Sequence, residues 1–189
     1  MNNKQKQSYQ LTNEITNKYL LGEICDIFQG KMLAKQKDSN GKYKFFIDSK
    51  KEHYINSYMY DGEYLIINTN QYAGDIKYYD GKFNISADLR ALKVNHDQVL
   101  TKYLFYFLKL HFKKYVLSII KKRKSPYLTN NEIKSFSVVV PSLTKQKKIV
   151  GILDDFSDYL DGLKKEMQLR KQQLEYYLDQ MLNVDLDLE

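Results

Sequence analysis

At Pro141 the chain changes period. Before it, apolar side chains come in short runs of the kind strands make, the last being Val138-Val139-Val140. After it, Ile149, Leu153, Phe156, Leu160, Leu163, Met167, Arg170, Leu174, Tyr177 and Met181 step by four and three. That spacing is a heptad seam over about four and a half heptads, with one polar break at Arg170. Ser142 or Thr144 can cap the start by accepting from free backbone amides. A continuous helix from Leu143 to Leu182 would measure roughly 60 Å at 1.5 Å per residue. A single small domain rarely has enough surface to cover such a helix. The seam therefore predicts association with a second helix rather than folding back. Gly151 and Gly162 each cost about 1 kcal/mol against alanine in a helix interior, which predicts bends or close helix contacts there.

Charge divides at the same proline. Of 189 residues with net charge +7, those up to Pro141 include 23 basic and 13 acidic side chains, a net of +10. Those after it include 7 basic and 10 acidic, a net of −3. A basic head favours a polyanion, and nucleic acid is the usual one. The plainer alternative is a Lys-rich protein with no such partner. The apolar runs fall far short of a bilayer span, and Lys4 and Lys6 precede no apolar signal segment. The expected location is the cytoplasm, with no membrane partner. Cys25 is alone, so it forms no disulfide within the chain and is read as a small buried hydrophobe.

The expected fold class is α+β: a globular domain with a mixed or antiparallel sheet and packed helices, then one long C-terminal coiled-coil helix. Residues 1–18 are polar and read as a flexible lead-in, 19–141 as the globular domain, 142–183 as the long helix and 184–189 as a tail. Strands are predicted at Cys25–Phe28, Tyr43–Ile47, Tyr64–Ile67, Ile76–Tyr79, Leu89–Val94 and Ile133–Val140, with turns at Asp61-Gly62, Gly74 and Asp80-Gly81. A short helical turn is expected near Leu21. From Val99 to Ile120 the period becomes helical, with Leu100, Tyr103, Leu104, Phe107, Leu108, Tyr115 and Ile119 facing a sheet.

Catalytic motifs are sparse. The glycines lack the spacing of a phosphate-binding loop. Pro126 and Pro141 are the only prolines, so the Asn/Asp-Pro-Pro-aromatic tetrad of amino-methyltransferases is missing. His53, His96 and His111 are scattered without ligand spacing. Asp61 with Asp75-Ile76-Lys77 fits a carboxylate, carboxylate-x-lysine nuclease pattern, which arises easily by chance in a chain of this composition. No metal site and no cofactor are expected.

Basic and aromatic residues interleave instead. The candidate DNA-binding residues are Lys31, Lys35, Lys37, Lys42 and Lys44 in and beside a long loop. Asn70, Gln71 and Tyr72 follow the strongest strand. Lys121, Lys122, Arg123, Lys124 and Tyr127 close a stretch, 98–131, with eight basic side chains and no acidic one. Lysine and arginine neutralise phosphates, and Asn or Gln amides can bond adenine edges.

The order of parts resembles the specificity subunit of type I restriction-modification enzymes. The resemblance rests on Leu21-Gly22-Glu23-Ile24 followed by Gly30, on Phe105-Tyr106-Phe107-Leu108, and most of all on the run Val139 to Asp154 with Pro141, Gln146, Ile149, Leu153 and Asp154. Ser142, Lys145 and Gly151 depart from the family's usual proline, acidic residue and alanine. The resemblance spans about residues 19–182 and matches one target-recognition domain and one helical region, where a complete subunit carries two of each.

It implies a chain that reads one half of a bipartite site in double-stranded DNA and does no chemistry. Methyltransferase subunits would bring S-adenosylmethionine, and a motor-nuclease subunit ATP hydrolysis. The helix would set the spacing and dock the methyltransferase. One head per chain implies a homodimer through Ile149, Leu153, Phe156, Leu160, Leu163, Met167, Leu174, Tyr177 and Met181, reading inverted half-sites, or half of a longer two-headed subunit. A stand-alone nuclease using Asp61, Asp75 and Lys77, and a coiled-coil interaction module with no DNA role, are the alternatives.

Overall fold

The computed structural model describes residues 16–70, 72–121, 123 and 127–182. The chain divides into two compact units, 1–148 and 149–189. Among the described residues the first holds nine strands: β1 (Asn17–Leu20), β2 (Cys25–Gln29), β3 (Tyr43–Phe46), β4 (Tyr54–Ile55), β5 (Glu63–Asn68), β6 (Ile76–Asp80), β7 (Phe83–Ile85), β8 (Leu89–Val94) and β9 (Ser137–Val140). It also holds the helices α1 (Leu21–Ile24), α2 (Thr101–Ile120) and α3 (Asn130–Lys134), and the start of α4 (Leu143–Leu182).

The central sheet is antiparallel in the order β2-β8-β5-β6. The uninterrupted apolar run in β5 explains its place. Alternate residues of a strand point to opposite faces, so a run without polar breaks must be covered on both. Leu65 and Ile67 join Leu92 beneath Leu104, Leu108, Phe112 and Val116 of α2. Ile66 and Ala91 join Tyr60, Phe83, Ile85 and Leu89 in a second core on the other side. That second core is bounded by the sheet β4-β3-β7, in which β3 and β7 run parallel. Gly30 sits where a Cβ would fall onto the Ser86 carbonyl, so the chain leaving β2 can pass β7 only without a side chain there.

Two sequence expectations are corrected. The run Ile133–Val140 is not one strand. Thr129 and Glu132 form a capping box: the Thr129 hydroxyl accepts from the Glu132 amide (3.3 Å) and the Glu132 carboxylate accepts from the Thr129 amide (2.9 Å). This reciprocal cap starts a helix, so Ile133 enters the core from α3 and pairing begins only at Ser137. Second, Asn17 and Lys18 belong to β1, antiparallel to β9 with Asn17 opposite Val140, rather than to a lead-in; residues 1–15 lie outside the described residues. The face of α2 also turns further than expected. Phe112 and Val116 are fully buried, while Phe107, Tyr115 and Ile119 are only partly so.

The start of α4 is pinned inside the first unit. Gln146 is completely buried. Its side-chain oxygen accepts from the Leu100 amide (2.9 Å), and its nitrogen donates to the carbonyls of Gln98 (2.7 Å) and Pro141 (2.8 Å). Both donors of the buried amide and one of its oxygen's acceptor sites are then used, so neither polar atom is left unpaired. From Ile149 on, no residue of α4 is buried. Neither Gly151 nor Gly162 has an atom within 4 Å of where a Cβ would stand, so no contact within the described chain requires them.

Candidate nucleic-acid interface

The loop from Gly30 to Lys42 carries Lys31, Lys35, Lys37 and Lys42, all exposed. It is ordered by its own polar groups. The Asp38 amide donates to the Tyr54 carbonyl (2.8 Å), and its carboxylate accepts from the Asn40 amide (2.9 Å) and the Asn56 side chain (2.5 Å). The Leu33 amide donates to the Gln36 side chain (2.7 Å). The four ammoniums therefore stand on a fixed backbone docked to β4. Lys44 differs from them. It is ion-paired to Glu52 at 2.6 Å and bonded to the Tyr54 hydroxyl at 3.2 Å. Burial pulls its ammonium down, but these bonds outweigh burial and hold it above its ordinary value. Its charge is largely answered within the fold.

The turn after β5 is likewise tied down. The buried Asn68 donates to Asp48 (2.6 Å), Asn70 donates to Asp88 (2.7 Å), and the Asn70 amide donates to the Asn68 side chain (3.1 Å). The Asn70 side chain, expected to meet a base edge, thus spends a donor on the loop itself. Tyr72 is half-buried; Gln71 lies outside the described residues.

The basic stretch after α2 ends on a network the sequence reading missed. Arg90 of β8 is 1% exposed. It donates to Asn130 (2.6 Å), to the carbonyls of Ala87 (3.0 Å) and Leu89 (2.9 Å), and to the Tyr127 hydroxyl (2.7 Å). A buried cation is tolerated when its donors find partners, and here two carbonyls, an amide and a phenol accept from four of the five N–H groups. The network fixes one edge of the Tyr127 ring while the residue stays 40% exposed. Arg123 pairs with Glu132, its Nη1 also 3.4 Å from the Tyr127 carbonyl. Burial pushes the Glu132 carboxyl up, but the bonds from Thr129 and Arg123 outweigh it and hold the group below its ordinary value. Lys121 is exposed; Lys122 and Lys124 lie outside the described residues. A single arginine inside the apolar run Leu89-Arg90-Ala91-Leu92, and the Thr129–Glu132 spacing, were the signals for this network.

The nuclease pattern does not assemble. Gly62 and Gly81 exchange backbone bonds of 3.2 Å at one end of the β5–β6 hairpin, while the Asn68 amide donates to the Asp75 carbonyl (3.0 Å) at the other. Asp61 and Asp75 thus stand at opposite ends of a strand, about 20 Å apart at roughly 3.3 Å per residue. Asp75 is ion-paired to Lys113 at 2.6 Å. Among the described residues no cluster of His, Cys, Asp or Glu is arranged to hold a metal.

In the second unit the seam side chains Phe156, Leu160, Leu163, Met167, Leu174, Tyr177 and Met181 are between 43% and 72% exposed. Ile149 and Leu153 are partly buried. Arg170 lies in the seam with Glu166 at 3.7 Å and Gln173 at 3.2 Å on its own helix.

Comparison with known proteins adds the following. A family model described as the type I restriction modification DNA specificity domain matches residues 13–175. The chain is 33% identical over 171 residues to the type I restriction enzyme MpnII specificity subunit of Mycoplasma pneumoniae, covering 85% of this chain and 51% of that one. It is 27% identical over 169 residues to the EcoDI specificity subunit of Escherichia coli, covering 89% of this chain and 37% of that one. The fold is similar to that of the type I restriction-modification S subunit from M. genitalium (TM-score 0.75, 16% identity, 93% of this chain and 48% of that one). It is also similar to the HsdS subunit from Thermoanaerobacter tengcongensis (TM-score 0.58, 19% identity, 85% and 41%). The chain spans about half the length of these relatives.

Proposed function

The chain belongs to the type I restriction-modification DNA specificity family, and from that premise we propose that it reads one half of a bipartite site in double-stranded DNA. In this reading the head, residues 19–141, supplies recognition. The helix, 142–183, pairs two heads, sets their spacing and docks methyltransferase subunits. The chain itself is non-catalytic and carries no cofactor. Methylation and restriction come from partner subunits, including the motor-nuclease, in the cytoplasm; among the described residues no helix is long and apolar enough to cross a membrane.

The observation that carries the proposal is the union of a strongly basic head with an exposed heptad seam. Ordered lysines on the Gly30–Lys42 loop suit phosphate contact, which positions a protein on DNA without reading sequence. The exposed seam suits pairing with a second copy. Burying the seven half-exposed seam residues of each helix is worth on the order of 10–20 kcal/mol gross, against roughly 4–15 kcal/mol for association. A homodimer held by this seam would present its heads about a two-fold axis and so read inverted half-sites.

Titration of labelled duplex DNA with the full chain and methyltransferase subunits tests the reading. Binding whose affinity falls steeply with salt, and which selects one sequence from a random pool, is the expected result. Salt-insensitive or unselective binding overturns it.

A further inference from the structure

The lysines with the least internal compensation are not those of the Gly30–Lys42 loop alone. Between β3, β6 and the segment 47–53 lie two adjoining cavities of about 240 and 360 Å³, which share Phe46, Ile47, Lys50 and Lys77 in their walls. Lys51 and His53 line the larger one and Tyr72 the smaller. The acidic residues at the rims are occupied: Asp75 by Lys113 and Glu52 by Lys44, each at 2.6 Å. Among the described residues Lys50, Lys51 and Lys77 form no such ion pair, and all three are exposed. Two of them rest on aromatic faces. The Lys77 ammonium lies 5.6 Å from the Phe46 ring centre and the Lys50 ammonium 5.8 Å from that of Tyr72. Such shelves hold the long stems in place and limit the entropy lost when the charges are engaged. The His53 imidazole is held below its ordinary value by burial first and then by the charges of Lys37, Lys51 and Lys77.

An open trough with three exposed lysines in no ion pair among the described residues, two of them seated on aromatic rings, fits a chain of phosphodiesters better than a small metabolite. We infer that Lys50, Lys51 and Lys77 form a phosphate-contact trough that seats the DNA backbone against the head. This deepens the DNA-binding reading and rests on it. The contacts are sequence-independent, so a duplex of arbitrary sequence can probe them.

The test is the salt dependence of binding of the full chain to a fluorescein-labelled duplex, for the wild type, for K50A/K51A/K77A, and for the charge-matched K18A/K134A/K147A. Each phosphate contact contributes about 0.9 to the slope of log affinity against log salt. The trough variant is expected to lose about 2 to 3 from that slope, and the control less than about 1, with thermal unfolding of both unchanged. K50Q/K51Q/K77Q, which keeps long polar stems, repeats the loss if charge is the cause and serves if the alanine variant folds poorly. Equal slopes for wild type and trough variants, with the wild type still binding DNA, overturn the trough and leave the DNA reading standing. No salt-dependent binding by the wild type overturns both. Displacement of the duplex by ATP, where sulfate of equal ionic strength does not displace it, assigns the trough to a free nucleotide and also overturns the proposal.

Discussion

In β5 of the head, Leu65, Ile66 and Ile67 are each at most 2% exposed, whereas leucines of the same size at 160, 163 and 174 in α4 are 43–58% exposed. The head answers its polar groups with the same economy. Gln146 makes three bonds, Arg90 four, and Asn68 and Asn70 bond to aspartates. Along the helix beyond Ile149, Lys164 pairs with Asp161 and Arg170 with Glu166, neighbours on the same helix. The difference teaches where each unit obtains its stability. The head has the cores and networks of a self-sufficient domain, and the helix has an exposed apolar face, broken at Arg170, that water does not favour. A change in the seam should act on assembly and spare the head, and a change in a head network should do the reverse.

The largest separation of the two should come from Leu163→Asp. It places a carboxylate in the middle of the seam proposed to pair two chains, and an unpaired buried charge costs several kcal/mol. Sedimentation at micromolar concentration is expected to change from dimer to monomer while the head's unfolding transition stays in place. A variant that stays dimeric would mean that pairing does not use this face. Next comes Arg90→Met. It leaves the buried Leu89 carbonyl without this partner and takes a donor from the part-buried Ala87 carbonyl, Asn130 side chain and Tyr127 hydroxyl, and the expected loss is about 1–3 kcal/mol of head stability in urea. Dimerisation should be untouched; a weakened dimer would break the separation of the two units.

A smaller effect is expected at Glu132. Its carboxyl is held below the ordinary value in the folded chain. Its contribution is therefore complete above the ordinary carboxylate range and is lost as pH falls through the depressed value. Glu132→Gln should cost about 1 kcal/mol at neutral pH, and the gap from wild type should close in acid. A gap that is the same at both pH values would show that the charge itself contributes nothing.

Legibility in the sequence followed the range of the forces involved. The bounds of α4 were readable because a heptad is a local pattern. So were β5 and β8, whose apolar runs admit few alternatives. The helix α3 was misread because the run Phe136–Val140 suggested a strand, although the Thr129–Glu132 spacing of a capping box was present. Lys44 and Arg123 were counted as open cations because Glu52 and Glu132 reach them only after loops close over eight and nine residues. Asp61 and Asp75 looked close in sequence, yet the hairpin between them sends them to opposite ends. Lys77 entered the sequence reading only through the nuclease pattern, and Lys50 and Lys51 not at all, for the same reason: Lys50 and Lys77 line common cavities only when β3 and β6 flank the second core.

The central claim is that one kind of head, paired through one seam, specifies the DNA to be modified. The most direct measurement is a map of modified bases in DNA exposed to the full chain together with methyltransferase subunits of its family. The account predicts modification confined to a bipartite motif whose two halves are inverted repeats. Modification at a motif with unlike halves, or none that depends on this chain, would contradict it.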